Sequence, residues 1–135
     1  MKVLSVMLMV IFSSIATAEI AIIVHPNNNN ALDVKTAARI FTGKLKTFPG
    51  GESAVPIAQN DDSNTTKEFN KKVLKKSGSQ LKAYWSKLVF TGKGTPPKKV
   101  GSDNEVIDLI SVNPNFIGYV SADSVVESVK VIAKL

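Results

Sequence analysis

Residues 19–24 read EIAIIV, and this short apolar run decides the fold class. Its β-branched residues, followed by Pro26 and the asparagines 27–30, are typical of a buried strand that ends in a loop. Similar runs at 116–120 (FIGYV) and 129–132 (VKVI) predict further strands. A run at 54–59 (AVPIAQ) predicts another, although Pro56 cannot donate to an interior ladder. Helical patterns separate these strands, which predicts a single-domain α/β protein, a mixed sheet with helices on both faces in three layers.

Four helices are predicted from capping signals and from apolar residues that recur at helical spacing. Gly43 follows the first stripe, where a left-handed helix end needs a residue without Cβ. A stripe from Leu81 to Val89, containing Tyr84 and Trp85, is predicted to pack in the core. The predicted capping residues are Asp33, Thr65 with Glu68, Ser79, and Ser102 with Glu105.

The amino terminus has the pattern of a secretory signal peptide. Lys2 precedes an uncharged run to Ile15 and then Ala16-Thr17-Ala18, so we expect residues 1–18 to be removed by cleavage after Ala18. The run is shorter than the roughly 20 residues of a membrane span, so no membrane insertion is expected after cleavage. This predicts export to the periplasm with residues 19–135 as one domain.

Composition excludes several classes of function. The chain has no cysteine, so neither a disulfide nor a lipid-modified cysteine is expected, and the protein should not be a lipoprotein. Its formal net charge of +6 favours anionic partners, but the lysines are dispersed and no nucleic-acid-binding motif occurs. His25 is the only histidine, and no nucleophile elbow, zinc-protease helix or P-loop is present. We therefore expect no enzyme activity, no metal, no cofactor and no nucleic-acid partner.

The segment 59–66 (QNDDSNTT) runs from the end of a predicted strand into the start of a helix. The first N–H groups of a helix have no intrahelical partner and carry the positive end of its dipole, so they can bind an oxyanion. The hydroxyls of Ser63 and Thr65 could add donors. The residues alone favour the simpler interpretation, a well-capped helix that binds nothing.

A wider set of motifs resembles the phosphate-binding proteins of ABC transporters, and in particular their short, single-lobe members. The resemblance covers essentially the whole chain after residue 18. It implies one lobe of a type II periplasmic-binding-protein fold. The motifs that carry it are, in order, 40–44 (IFTGK), 61–65 (DDSNT) with Phe69, Trp85, and 117–120 (IGYV).

In full-length relatives the helix-opening motif reads R-x-D-G-S-G-T and holds phosphate. The resemblance implies that Asp61 accepts from a protonated phosphate oxygen, that Ser63, Asn64 and Thr65 act as donors, and that Gln59 stands in the place of the arginine. A neutral amide replaces a charge-assisted contact about twice as strong. Nearby lysines are expected to restore some positive potential: Lys44, Lys46, Lys67 and Lys71.

Two functions remain open at this stage. The first is an exported module that binds inorganic phosphate or a similar oxyanion at a helix N-terminus, linked to phosphate ABC transport and to a transporter permease. One lobe leaves the ligand exposed to water, so a homodimer or a second-lobe protein partner is expected to complete the cleft. The alternative is a protein-interaction or structural module that has lost high-affinity anion binding.

Overall fold

The computed structural model describes residues 10, 11 and 18–135, so most of the predicted signal peptide lies outside the described residues, and its cleavage stays a prediction. In the part of the chain that is described, no helix has the length and hydrophobicity needed to cross a membrane. The elements, in chain order, are β1 (Ile20–Val24), α1 (Val34–Phe41), β2 (Val55–Gln59), α2 (Asn64–Phe69), a π-helical turn (Asn70–Leu74), α3 (Gly78–Phe90), β3 (Lys98–Val100), α4 (Asp103–Val112), β4 (Phe116–Ser121), a 3₁₀ turn (Ala122–Ser124) and β5 (Lys130–Lys134).

The strands form one five-stranded mixed sheet in the order β3-β2-β4-β1-β5. β2 is parallel to β3 and to β4, whereas β1 is antiparallel to β4 and to β5. The carboxyl ends of β2, β3 and β4 therefore lie at the same edge of the sheet, and α2 and α4 both begin there. The short strand β3 was not predicted.

Helices cover both faces of the sheet, which confirms the predicted α/β class. One core cluster joins alternate β1 residues, including Ile20 and Ile22, to α1 and α2. The second joins Ala21 and Ile23 to α4 on the opposite face. Because β1 is buried on both faces, its sequence is apolar throughout instead of alternating.

Several local predictions are confirmed. Asp33 caps α1 by accepting from the Thr36 N–H at 2.7 Å. Gly43, just beyond this helix, has a φ of +72°. Ser102 caps α4 by accepting from the Glu105 N–H at 3.2 Å. The Glu105 carboxylate bonds the Gly101 N–H, so the reciprocal half of the capping box is displaced by one residue.

Two predicted caps are wrong by two residues. α2 is capped by Ser63, which accepts from the Thr66 N–H at 3.0 Å, and not by Thr65. α3 is capped by Ser77, which forms a complete capping box with Gln80, and not by Ser79. In both places a serine two positions earlier supplies the same chemistry, and a hydroxyl inside the first turn cannot cap it.

The predicted burial of the α3 stripe is wrong for most of its length. Leu81 is buried, Tyr84 and Trp85 are half-buried, Val89 is 54% exposed and the adjacent Phe90 is 92% exposed. The helix is tied to the body by the Tyr84 hydroxyl, which donates to the Thr42 carbonyl oxygen at 2.6 Å. Its apolar side faces an open cleft instead of a packed neighbour.

Gly118, at the centre of β4, allows α4 to approach the sheet. A Cβ at this position would lie 2.6 Å from Val106 Cγ1 and 2.7 Å from Ile110 Cδ1. We expect Gly118→Ala to lower the free energy of unfolding by about 1–3 kcal/mol through overpacking, measured by denaturant unfolding. Gly78→Ala is the control, because a Cβ there meets nothing within 4 Å. Equal stabilities of the two variants would contradict the prediction.

Candidate functional site

The carboxyl ends of the parallel strands are joined by a buried hydroxyl network centred on Tyr119. Its hydroxyl accepts from the Gln59 N–H at 3.0 Å and shares a hydrogen bond of 2.9 Å with the Thr66 hydroxyl. Ser63 in turn donates its hydroxyl proton to Thr66 Oγ1 at 2.9 Å. The network therefore fixes the first turn of α2 against β2 and β4.

The side chain of Gln59 is engaged inside the protein. Its Nε2 donates to Asp103 Oδ1 at 2.7 Å and to the Tyr119 carbonyl oxygen at 3.0 Å. The other Asp103 oxygen accepts from the Ser121 N–H at 3.2 Å and from the Ser124 hydroxyl at 2.6 Å. Both protons of the Gln59 amide are thus used to join β2, β4 and α4.

Burial raises the pKa of the Tyr119 hydroxyl above its usual 10.0, and the hydrogen bonds with Gln59 and Thr66 act in the opposite direction. The hydroxyl is therefore neutral at physiological pH. In that form it can both accept from Gln59 and share a proton with Thr66.

The start of α2 presents free donors. Asn64 is exposed and Thr65 is half-buried, and neither backbone N–H has a hydrogen-bond partner among the described residues. The next two N–H groups are satisfied by Ser63, through its side chain and its carbonyl oxygen. The π-helical turn continues α2 to Leu74, which lengthens the helical dipole behind these donors.

Asp61 lies in the preceding loop and is paired with Lys99 of β3. The Lys99 Nζ is 2.9 Å from Asp61 Oδ1 and 3.0 Å from Oδ2. The Asp61 side chain is 76% exposed, so this pair contributes little to stability. The pair nevertheless places the Lys99 ammonium group beside Asp61, at the sheet edge where α2 begins.

A cleft of about 680 Å³ opens beside this network, beneath α3. Its floor includes stacked rings of Phe69 and Tyr119, with centroids 3.9 Å apart, and Phe41 packed edge-on against Phe69 at 4.8 Å. Gln59 and Asp61 line this cleft, whereas Ser63, Asn64 and Thr65 do not. The structure therefore brings two of the five predicted site residues to the cleft and leaves three at the adjacent helix start.

Sequence comparison assigns the family. The PBP superfamily domain matches residues 9–135. The chain belongs to this family. No protein of curated function matches the sequence significantly.

Solved structures share the PBP-domain fold. A Clostridium perfringens protein assigned to the phosphate ABC transporter substrate-binding proteins, crystallised with bound phosphate, superposes with a TM-score of 0.66 at 23% identity, over 85% of this chain and 45% of that one. An ABC-type phosphate transport receptor from Vibrio cholerae gives 0.63 at 19%, over 85% and 46%. PstS from Borrelia burgdorferi gives 0.61 at 16%, over 86% and 47%.

This chain spans less than half the length of each of those proteins. Its fold is that of the PBP superfamily domain. The predicted PBP-like lobe is thereby confirmed at the level of superfamily and fold, and its phosphate ligand stays a prediction.

Three of the four predicted lysines of this PBP domain line hollows, in two separate places. Lys67 and Lys71 line a hollow that also contains Asp61. Lys46 lines a separate depression beside Trp85. Lys44, just after Gly43, lines none of these hollows. Only the first two are placed to act on a ligand near α2.

His25 follows the end of β1, and its Nδ1 accepts from the Asn27 N–H at 3.0 Å. Within residues 10, 11 and 18–135, no group of three or more histidine and acidic side chains is arranged to hold a metal ion.

Three residues of the network were not identified from sequence: Thr66, Asp103 and Tyr119. Tyr119 was visible as part of the IGYV motif, but its hydroxyl partners lie more than fifty residues away along the chain. Asp103 follows a correctly predicted cap, and nothing local indicates that it binds Gln59. Long-range pairs of this kind leave no periodic signal.

Tyr119→Phe should lower the free energy of unfolding by about 1–3 kcal/mol, because it leaves the buried Gln59 N–H without an acceptor while keeping the ring stack. Denaturant unfolding at neutral pH measures this loss. Tyr84→Phe is a matched control with a smaller expected loss, because its hydroxyl is only half-buried and donates to one carbonyl.

The Tyr119→Phe variant and its Tyr84→Phe control also test the titration of the Tyr119 hydroxyl. The folded pKa of Tyr119 is raised, so its contribution to stability is fully present below pH 10 and is lost as the pH rises through the folded pKa. We therefore expect the free energy of unfolding of Tyr119→Phe to fall less steeply above pH 10 than that of the native chain. An alkaline profile identical to that of the native chain would contradict the assignment.

Proposed function

We propose that this chain is an exported, periplasmic solute-binding module that binds phosphate or a similar oxyanion at the start of α2, in support of phosphate ABC transport. The observation that carries the proposal is the pair of backbone N–H groups at Asn64 and Thr65, which have no partner among the described residues. Such donors at a positive helix end suit an oxyanion. Family membership and the phosphate named for the Clostridium perfringens structure support the ligand class.

Ser63 has a supporting role in this proposal. Its hydroxyl already caps Thr66, so it holds the helix start in place and leaves ligand contact to Asn64 and Thr65. The signal peptide, cleavage after Ala18 and the absence of a lipid anchor belong to the same proposal.

Gln59 stands where the family motif has an arginine, so this position has no positive charge. In this proposal Lys99 supplies that charge. Gln59 uses both amide protons internally, whereas Lys99 lies beside Asp61 at the same strand edge. A bound phosphate would then meet a lysine and an acid together, with Asp61 accepting from a protonated oxygen. An exposed lysine is a weaker partner than a buried arginine, so we expect low affinity from the single chain.

Inorganic phosphate should raise the melting temperature of the chain at fixed ionic strength. At one hundred times the dissociation constant the stabilisation would be about 2.7 kcal/mol. Differential scanning calorimetry of anion-free protein with millimolar phosphate, sulfate or arsenate measures it. No shift with any of the three would overturn the proposal.

Two substitutions at Asn64 separate its N–H from its side chain. Asn64→Pro removes the N–H at the first helical position, where proline is tolerated, and Ser63 already has extended angles (φ −69°, ψ 142°) that suit a following proline. Asn64→Ala keeps the N–H. We expect calorimetric titration to show phosphate affinity about tenfold or more lower for Asn64→Pro than for Asn64→Ala, with similar melting temperatures. Equal affinities would contradict binding at this helix start.

A second function is favoured by a separate observation, the exposed apolar residues at the end of α3. Val89 and Phe90 are 54% and 92% exposed, and Gln59 is committed to the interior. The exposed apolar surface and the internal hydrogen bonds of Gln59 are both consistent with an interaction module that has lost high-affinity anion binding. A second copy of the chain is the simplest partner for such a surface.

If this second function holds, sedimentation velocity should show a dimer that Phe90→Lys abolishes. Val112→Lys is the control, because Val112 is 73% exposed on α4. The dimer should persist in a Ser63→Ala, Thr65→Ala double variant, which alters the oxyanion site. A monomer at every concentration tested would remove the basis of this alternative.

A further inference from the structure

The cleft beneath α3 has the dimensions and lining of a site for an organic molecule. Its volume of about 680 Å³ lies within the range of small-molecule sites, which are mostly apolar with a few polar groups. Apolar and aromatic side chains form most of its lining, while Gln59, Thr66 and the Tyr119 hydroxyl converge at one end. We call this space the α3 cleft. Its principal apolar residues are Phe41, Phe69, Leu81, Trp85, Val89 and Tyr119.

A second hollow, of about 670 Å³, is strongly cationic. We call it the lysine hollow, after Lys67, Lys71, Lys75 and Lys76, which line it. Among the described residues the salt bridges are Lys72 with Glu68 and Lys99 with Asp61, so none of these four lysines has an acidic partner. Lys67 lies on α2 and Lys71 on the π-helical turn, and Lys75 is the left-handed C-cap of that turn, with a φ of +56°. Like charges are therefore grouped where this helical segment ends.

The two spaces are adjacent. Asp61, Asn70 and Gly78 line both. Asp61 is the only acid of the lysine hollow, and Lys99 already neutralises it at 2.9 Å. The groove therefore changes from apolar and aromatic under α3 to positively charged beside the π-helical turn.

We propose that the α3 cleft and the lysine hollow together bind an amphiphilic organic anion. Its apolar part lies against Phe69 and Trp85, and its phosphate, sulfate or carboxylate group lies among the lysines. Ser63, Asn64 and Thr65 line neither space, so the backbone donors proposed for phosphate lie outside this site. Asp61 and Lys99 line the α3 cleft and are shared with the proposed phosphate site. The ligand covers the apolar side of α3 that no described part of the chain covers.

Charge complementarity selects this ligand over a neutral apolar one. The α3 cleft alone would accept any apolar group of suitable size, whereas the four unpaired lysines favour a negative charge. Inorganic phosphate satisfies only the lysines and leaves the aromatic surface uncovered. A molecule with both parts is the one that fills both spaces.

Trp85 provides a direct readout, because it is the only tryptophan of the chain and lines the α3 cleft. The probes are octyl phosphate, octyl glucoside and inorganic phosphate, each below any micellar concentration and at fixed ionic strength. We expect octyl phosphate to shift Trp85 emission and to bind about tenfold or more tightly than octyl glucoside in calorimetry. Inorganic phosphate should leave the emission unchanged.

Two matched pairs of variants locate the two parts of the ligand. Lys71→Gln with Lys75→Gln should weaken octyl phosphate binding about threefold to tenfold and reduce its salt dependence, whereas Lys35→Gln with Lys134→Gln should not. Val89→Gln should weaken binding of both octyl compounds by about threefold to tenfold, and Val112→Gln should not. All six positions are exposed, so folding should be retained.

Asn64→Pro distinguishes this site from the proposed phosphate site, because it should leave octyl phosphate binding unchanged. The proposal is overturned if octyl phosphate does not bind, if octyl glucoside binds equally well, or if inorganic phosphate alone produces the same emission change. It is also overturned if the Lys71, Lys75 pair and its control behave alike. Loss of octyl phosphate binding in Asn64→Pro would assign the acidic group to α2 instead of the lysine hollow.

Discussion

The buried hydroxyl of Tyr119 is the constraint on which this end of the molecule depends. A hydroxyl withdrawn from water costs several kcal/mol unless it is hydrogen-bonded, so the surrounding backbone must bring it partners. Gln59 of β2 and Thr66 of α2 do so, and the Gln59 side chain extends the connection to Asp103 of α4. Two strands and two helix starts from distant parts of the chain are thereby fixed at one sheet edge.

Local signals in the sequence predicted much of the fold. Asp33, Gly43 and Ser102 were identified because a cap is decided by the residue itself and by the next few positions. The choice between Ser63 and Thr65 was not local. Thr66 is committed to the Tyr119 hydroxyl, and this fixes the register of the first turn of α2. Helical periodicity likewise showed that α3 has an apolar side, but not whether the rest of the chain covers it.

The candidate site, too, was only partly predictable from the sequence. The segment from Gln59 to Thr65 was recognisable as a strand end that leads into a helix start, and the structure places it there. Its electrostatics were not recognisable, since they depend on the pairs Gln59 with Asp103 and Asp61 with Lys99. The members of these pairs are 44 and 38 residues apart. Lys99 lies on a three-residue strand whose sequence carries almost no strand signal.

That short strand also affects how the edges of the sheet can associate. β3 forms one outer edge of the sheet, where unpaired backbone groups invite another strand to add. Its length of three residues and its exposed Lys98 and Lys99 oppose such addition, and exposed lysines also stand at both ends of β5 on the other edge. The charged edges therefore disfavour edge-to-edge polymerisation of this small sheet into fibrils.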